Sequence, residues 1–355
     1  MNNRITIREL LELPEINKHL APDTQAKIEK NLTDHNHNSD TIYVRILIGI
    51  GAWLSALFFL GAIGGAFHSL GKLPFLICGI LLMVAGTILG KASKSLFLSQ
   101  VSLASVFAGN IITVIMTSQL LDYNADAVFP ALVSQLIICT VLYHFYCSSI
   151  YRFVSPGAVG VLVLIWLYDS RIHDYVHILI GAEMVLFGVL CFKKKYSPQF
   201  APLKYSVACL LPGTILIMNM FGGGLFYIDK YNTHYWPSSI VLTSGLLLLF
   251  YHLAGGMKRL REPWMILTVI ATILLGIFAN AGILVAIGLL ALGYALGDKF
   301  LMALSFLFLP CFLVLFYYNM EVDLAYKSVI VAGSGILILA VRWLLGMLKP
   351  EEVNA

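Results

Sequence analysis

Apolar residues in this chain run on in blocks of about sixteen to twenty-three residues, parted by short polar stretches, with neither strand-like alternation nor a single amphipathic stripe. A bilayer core of ~30 Å takes about twenty helical residues to cross. Transmembrane β-strands would instead appear as ~10-residue alternating segments, unlike runs such as VLTSGLLLLFYHLAG. The pattern predicts spans near residues 44–66, 73–90, 96–118, 128–147, 153–168, 175–192, 204–221, 238–255, 264–279, 281–297, 300–318 and 328–347. The fold class is therefore all-α, a polytopic membrane bundle of about twelve helices, within a range of about ten to twelve. The range reflects Ala279, Asn280 and Ala281, where two short helices would meet with almost no loop. A re-entrant hairpin or one long bent helix would lower the count, and irregular backbone at membrane depth needs protein or water to satisfy it.

Residues 1–42 read as a polar leader holding two short amphipathic helices, TIRELLELPEINKHL and PDTQAKIEKNL, then a link, DHNHNSD. No apolar core with a cleavage site precedes the first span, so that span is expected to direct insertion. His35 and His37 in the link read as solvated side chains rather than metal ligands. Residues 43–348 form the membrane domain and 349–355 a short tail.

Charge then orients the bundle. The loops after the second, fourth, sixth, eighth and tenth spans hold eleven Lys and Arg against two acids; the alternate loops hold four, Lys72, Arg171, Lys230 and Lys327, among seven acids. The positive-inside rule puts the basic set and both termini in the cytoplasm, and the protein in a bacterial inner membrane. Tyr and Trp near span ends suit the headgroup region. Glycines four apart, Gly61 with Gly65, Gly86 with Gly90 and Gly293 with Gly297, offer faces for close helix approach.

Composition agrees: 59% of the residues are hydrophobic and 12% charged, where soluble domains carry about 25% charged residues. The six cysteines lie in or beside apolar spans with no CxxC pair, so disulfides and a zinc site are not expected. No cofactor, no metal and no nucleic-acid partner is implied; the partners are the lipid bilayer and another membrane or periplasmic protein.

Glu183 is the most informative side chain, about nine residues from either end of the sixth span and so roughly 13 Å from each interface. A carboxylate at that depth is costly unless protonated or paired. It reads either as a proton or cation site or as a protonated group packing helix to helix. Asp169, His173, Asp174 and His177, in LYDSRIHDYVHIL, form a candidate external polar cluster. One continuous helix would put Asp169, His173 and His177 on one face with metal-ligand chemistry, but a turn must fall among them, which favours a solvated loop. FGGGLFYIDKYNTHYWP could fold as a lid over an external cavity, but its glycines lack the spacing of a phosphate loop and it reads as a connector; GMKRLREP could contact anionic lipid headgroups, but its role as a topology determinant already explains it. Asn110, Gln135 and His144 are candidates to bond between helices or to line a path. No HExxH, GxSxG, DxD or P-loop pattern occurs.

YVRILIGIGAWLSALFF, with Tyr43, Val44, Arg45, Gly51, Ala52 and Trp53, resembles the opening of the bacterial membrane family known as domain of unknown function 4401. FYYNMEVDLAYKSVIVAGSGILILAVRWLL resembles that family's end, through Tyr317, Tyr318, Lys327, Ser328, Gly335 and Arg342. The resemblance implies the same class and topology over nearly all of the chain after the leader, and it carries no reaction. Lys327 is a cation on the acidic side, expected to pair with Glu321, Asp323 or a lipid phosphate, whereas Arg342 can snorkel to cytoplasmic headgroups. Three functions follow in order: a non-enzymatic component or scaffold of an envelope complex; a small-solute or ion transporter built on Glu183; and a lipid or glycan enzyme, which lacks a visible nucleophile.

Overall fold

In a computed structural model of the protein, the described residues are 71–92, 95–121, 127–192, 198–222, 236–255, 262–278, 280–319 and 325–329, with a few single positions between 51 and 61 and between 323 and 339. The leader, the His-x-His link, most of the first and last spans, the FGGG connection and the basic loops at 193–197 and 256–261 lie outside them.

Ten α-helices are defined among the described residues. In chain order they are α1 Lys72–Ala92, α2 Leu96–Leu120, α3 Val128–Phe145, α4 Ser149–Asp169, α5 Val176–Phe192, α6 Ala201–Gly222, α7 Trp236–Ala254, α8 Pro263–Phe278, α9 Ala281–Leu296 and α10 Lys299–Asn319. Eight of the described helices are long and apolar enough to cross a membrane, and α8 and α9 are shorter apolar helices. Continuous apolar runs become helices because lipid offers the backbone no hydrogen-bond partner, so each segment must satisfy its own N–H and C=O groups. Pro156, Pro212 and Pro310 lie inside α4, α6 and α10.

The chain divides into two units, one containing Leu81–Ala108 and the other Gly71–Ile80 with the residues from Gly109 onward. In the first, Gly86 lets α1 and α2 approach: a Cβ there would come within 2.8 Å of Val106 Cγ2, and Ser102 Oγ donates to the Gly86 carbonyl at 2.7 Å. Trp53 packs its ring on Phe107, centroids 5.8 Å apart.

In the second unit α6 packs against α4, α5, α9 and α10. The core runs through Ala208, Leu211 and Ile215 of α6, Ile180 of α5, Leu284 and Leu289 of α9, and Leu301 and Phe312 of α10. Helix α9 is buried nearly all round its first turns, from Ala281 to Ala286, so it lies inside the bundle rather than on its rim. By contrast α5 buries one stripe, Val176, Ile180, Glu183 and Phe187, and exposes Ile178, Val185 and Leu186 on the other side. Helices α5 and α7 run parallel in steady register: His177 bonds Ser238, Gly181 faces Val241 and Gly245 faces Met184, and Phe192 packs edge-on against His252 at 4.4 Å.

Two expectations change. The span placed at 153–168 begins at Ser149, which takes Arg152 out of the loop; its Nε donates to the Tyr143 carbonyl at 3.1 Å, satisfying a carbonyl left open by the end of α3. His144 is exposed and bonds back to the Thr140 carbonyl of its own helix at 3.2 Å, so among the described residues it bridges no helices. The two helices placed at 264–279 and 281–297 are both present, at Pro263–Phe278 and Ala281–Leu296, and not one bent helix: Asn280 leaves the helical region at ψ 140° and its side chain accepts from the Gly282 N–H, a side-chain N-cap.

Candidate functional site

Glu183 projects from the buried stripe of α5 toward α6 and is 6% exposed. Thr214 Oγ1 donates to Glu183 Oε1 at 3.0 Å. Glu183 Oε2 is buried and has no hydrogen-bond partner among the described residues. The carboxyl group therefore meets one hydroxyl from one neighbouring helix. Thr214 was not singled out in the sequence, because hydroxyl residues are common in apolar spans and nothing local marks a partner thirty-one positions away.

Two further polar contacts tie α9 to α6, one at each end. Asn219 Nδ2 donates to Asn280 Oδ1 at 3.3 Å and Asn280 Nδ2 donates to Asn219 Oδ1 at 2.9 Å, a reciprocal amide pair. At the opposite end Lys204 Nζ donates to Asp298 Oδ2 at 2.7 Å, and Tyr205 OH donates to the same oxygen at 3.0 Å. Asp298 Oδ1 also accepts from the Phe300 N–H at 3.1 Å, which caps α10. Burial raises the Asp298 carboxyl, but the hydrogen bonds from Lys204 and Tyr205 with the Lys204 charge outweigh it and hold the group below the usual range. The sequence counted both charges only as loop charges.

A third cluster joins α2, α3 and α4. Gln135 Nε2 donates to Ser155 Oγ at 3.3 Å, Ser155 Oγ to Tyr151 OH at 3.3 Å, and Asn110 Nδ2 to Tyr151 OH at 3.5 Å. Asn110 and Gln135 thus bond between helices as expected.

The external candidates are dispersed by the turn. Helix α4 ends at Asp169, a 3-10 turn spans His173–Tyr175 and α5 starts at Val176. Asp169 is exposed, His173 Nε2 lies 4.0 Å from Asp174 Oδ1, and His177 turns inward to Ser238. Among the described residues no three His, Cys, Asp or Glu side chains are grouped to hold a metal ion. All six cysteines are free thiols.

Of the residues carrying the family resemblance, Tyr43, Val44, Arg45, Ala52, Gly335 and Arg342 lie outside the described residues. Tyr317 and Tyr318 meet edge-on at 5.8 Å, and Ser328 follows Lys327 in a helical stretch. Lys327 Nζ sits 5.3 Å from the centre of the Tyr317 ring, a cation–π contact, and its backbone N–H donates to the Asp323 carbonyl at 3.0 Å.

These helices, apolar along their length and joined by a few polar contacts, define a helical membrane protein. The chain belongs to the family described as Domain of unknown function (DUF4401), which matches residues 41–347. No curated protein and no solved structure matches it.

Proposed function

We propose that the protein is a multi-pass component or scaffold of a complex in the bacterial inner membrane, non-enzymatic, with both termini in the cytoplasm. One observation carries this reading: polar groups from several helices do not converge on the charged Glu183, which meets Thr214 alone among the described residues, while Asn219 pairs with Asn280, Ser305 Oγ with the Ala286 carbonyl, and the cluster of Asn110, Tyr151, Ser155 and Gln135 contains no charged side chain. Scattered pairs hold helices together, whereas a solute path needs polar groups from several helices to converge on one place. A count of about twelve spans is supported by the eight long helices, by α8 and α9, and by the apolar runs near 44–66 and 328–347. The polar ties at both ends of α9 support its crossing, because Lys204 and Asn219 are about 22 Å apart along α6. The domain reading stays a leader at 1–42, a membrane domain at 43–348 and a tail at 349–355.

The transporter reading has one observation in its favour, the buried Glu183 Oε2 without a partner among the described residues. One experiment separates the two. Purification in native lipid followed by mass spectrometry is expected to recover a second membrane or periplasmic protein in fixed proportion. Recovery of the chain alone, together with ion or solute flux in vesicles that Glu183→Gln abolishes, would replace the scaffold by the transporter.

A further inference from the structure

A cavity of about 550 Å³ lies between α5 and α7 in the second unit, floored by α6 and α9. Its floor is aliphatic, with Leu211, Leu284 and Leu289 buried, while Val185, Val189 and Leu248 on its rim are exposed. We propose that this groove holds one acyl chain of an anionic phospholipid, with the headgroup at the end of the bundle where α5 and α7 finish. The inference stands apart from the scaffold reading, since either a scaffold or a transporter could carry a bound lipid.

Four observations select this occupant. The first is length. The lining runs from Leu242 to His252 on α7 and from Met184 to Phe192 on α5, about 12–15 Å at 1.5 Å per residue. That is one leaflet of a ~30 Å hydrocarbon core. The second is access: the exposed Val185, Val189 and Leu248 along its rim open the groove sideways to the surface of the helices, where an acyl chain can enter from the bilayer. The third is chemistry. Ser244 and His252 are the polar side chains of a lining otherwise made of aliphatic residues, phenylalanine, methionine and glycine, and His252 stands at the end where a headgroup would lie. The fourth is charge. From the same ends of α5 and α7 the chain continues directly into Lys193-Lys194-Lys195 and, after Gly256 and Met257, into Lys258-Arg259-Leu260-Arg261. Cations at the cytoplasmic interface attract anionic headgroups.

Space along the groove is kept by glycine. A Cβ on Gly188 would meet no heavy atom within 4 Å, and one on Gly288 would meet only Leu246 Cδ1 at 3.5 Å. A Cβ at either site therefore meets no clash, and a leucine placed there is the means of filling the groove. By the same measure Gly245, which abuts Met184, is unsuitable for the purpose.

The test is photolabelling of the full chain in phosphatidylglycerol vesicles that contain a phosphatidylglycerol with a diazirine midway along one acyl chain. Peptides spanning 184–192 and 242–252 are expected to carry at least threefold more label than lipid-facing α3. Gly188→Leu and Gly288→Leu are expected to lower the groove label about tenfold, while Ile178→Phe, on the exposed face of α5 outside the groove, leaves it unchanged. Undiminished label in both leucine variants overturns the proposal. Should both fail to fold, the native chain decides: groove label no higher than that of α3, or equally high when host and probe lipids are phosphatidylcholine, overturns it as well.

Discussion

Arg171 holds φ at 58°, where an L side chain crowds the backbone at a cost of about 1–2 kcal/mol. The turn demands it. The Ile172 N–H donates to the Leu167 carbonyl at 3.0 Å and the Arg171 N–H to the Tyr168 carbonyl at 3.2 Å, the two bonds with which a left-handed residue closes a helix. Arg171→Gly is accordingly expected to raise stability by about 0.5–1 kcal/mol, read as a higher unfolding temperature in detergent. Asp298 gives a pH signature of known sign. Its carboxyl titrates lower in the fold than in the unfolded chain, where the value is ~3.9. Its stabilisation is thus complete above about pH 4 and is lost as pH falls through the folded value. Asp298→Asn should flatten that part of the stability curve, measured between about pH 2 and 6. Thr214→Val, which leaves Glu183 Oε1 without its donor, should cost about 1 kcal/mol by the same unfolding assay. Glu183 was legible in the sequence because depth alone makes a carboxyl conspicuous; Thr214 and the Lys204–Asp298 pair were not, because partners ninety-four positions apart are neighbours only after folding.

Helices α9 and α10 form a hairpin closed by Gly297 at φ 65°, with the Asp298 N–H donating to the Gly293 carbonyl at 2.8 Å. Gly293 and Gly297 looked alike in the sequence, four apart on a helix, yet they do different work. A Cβ on Gly293 would lie 2.9 Å from the backbone N of Met302, whereas one on Gly297 would meet nothing within 4 Å. Gly293→Val should therefore destabilise by about 1–3 kcal/mol through overpacking, and Gly297→Ala by about 1 kcal/mol through backbone strain. A proteolysis-rate comparison of the two variants with the native chain measures both. Helix existence was readable from apolar runs for all ten helices. The break near Asn280 was placed too, but not its nature, since one Asn between alanines suits a cap, a bend or a re-entrant tip until its side chain is seen to accept from Gly282.

At the scale of the whole molecule, threading is the expectation most open to direct test. Reporter fusions in 193–197 and 256–261 should be active only as cytoplasmic reporters, and fusions in 122–126 and 223–235 only as external ones; the reverse for 193–197 would overturn the orientation. The sequence by itself determined the helical class, because twenty apolar residues in a row leave the backbone no other way to satisfy itself in lipid. It also determined family membership, which runs over residues 41–347. Tertiary structure alone decided which helix lies inside. Helix α9 is among the shortest, and its buried and exposed neighbours are equally apolar in composition. In lipid both the core and the outer face are hydrophobic, so polarity cannot tell them apart, and only packing against α6 and α10 places α9 at the centre.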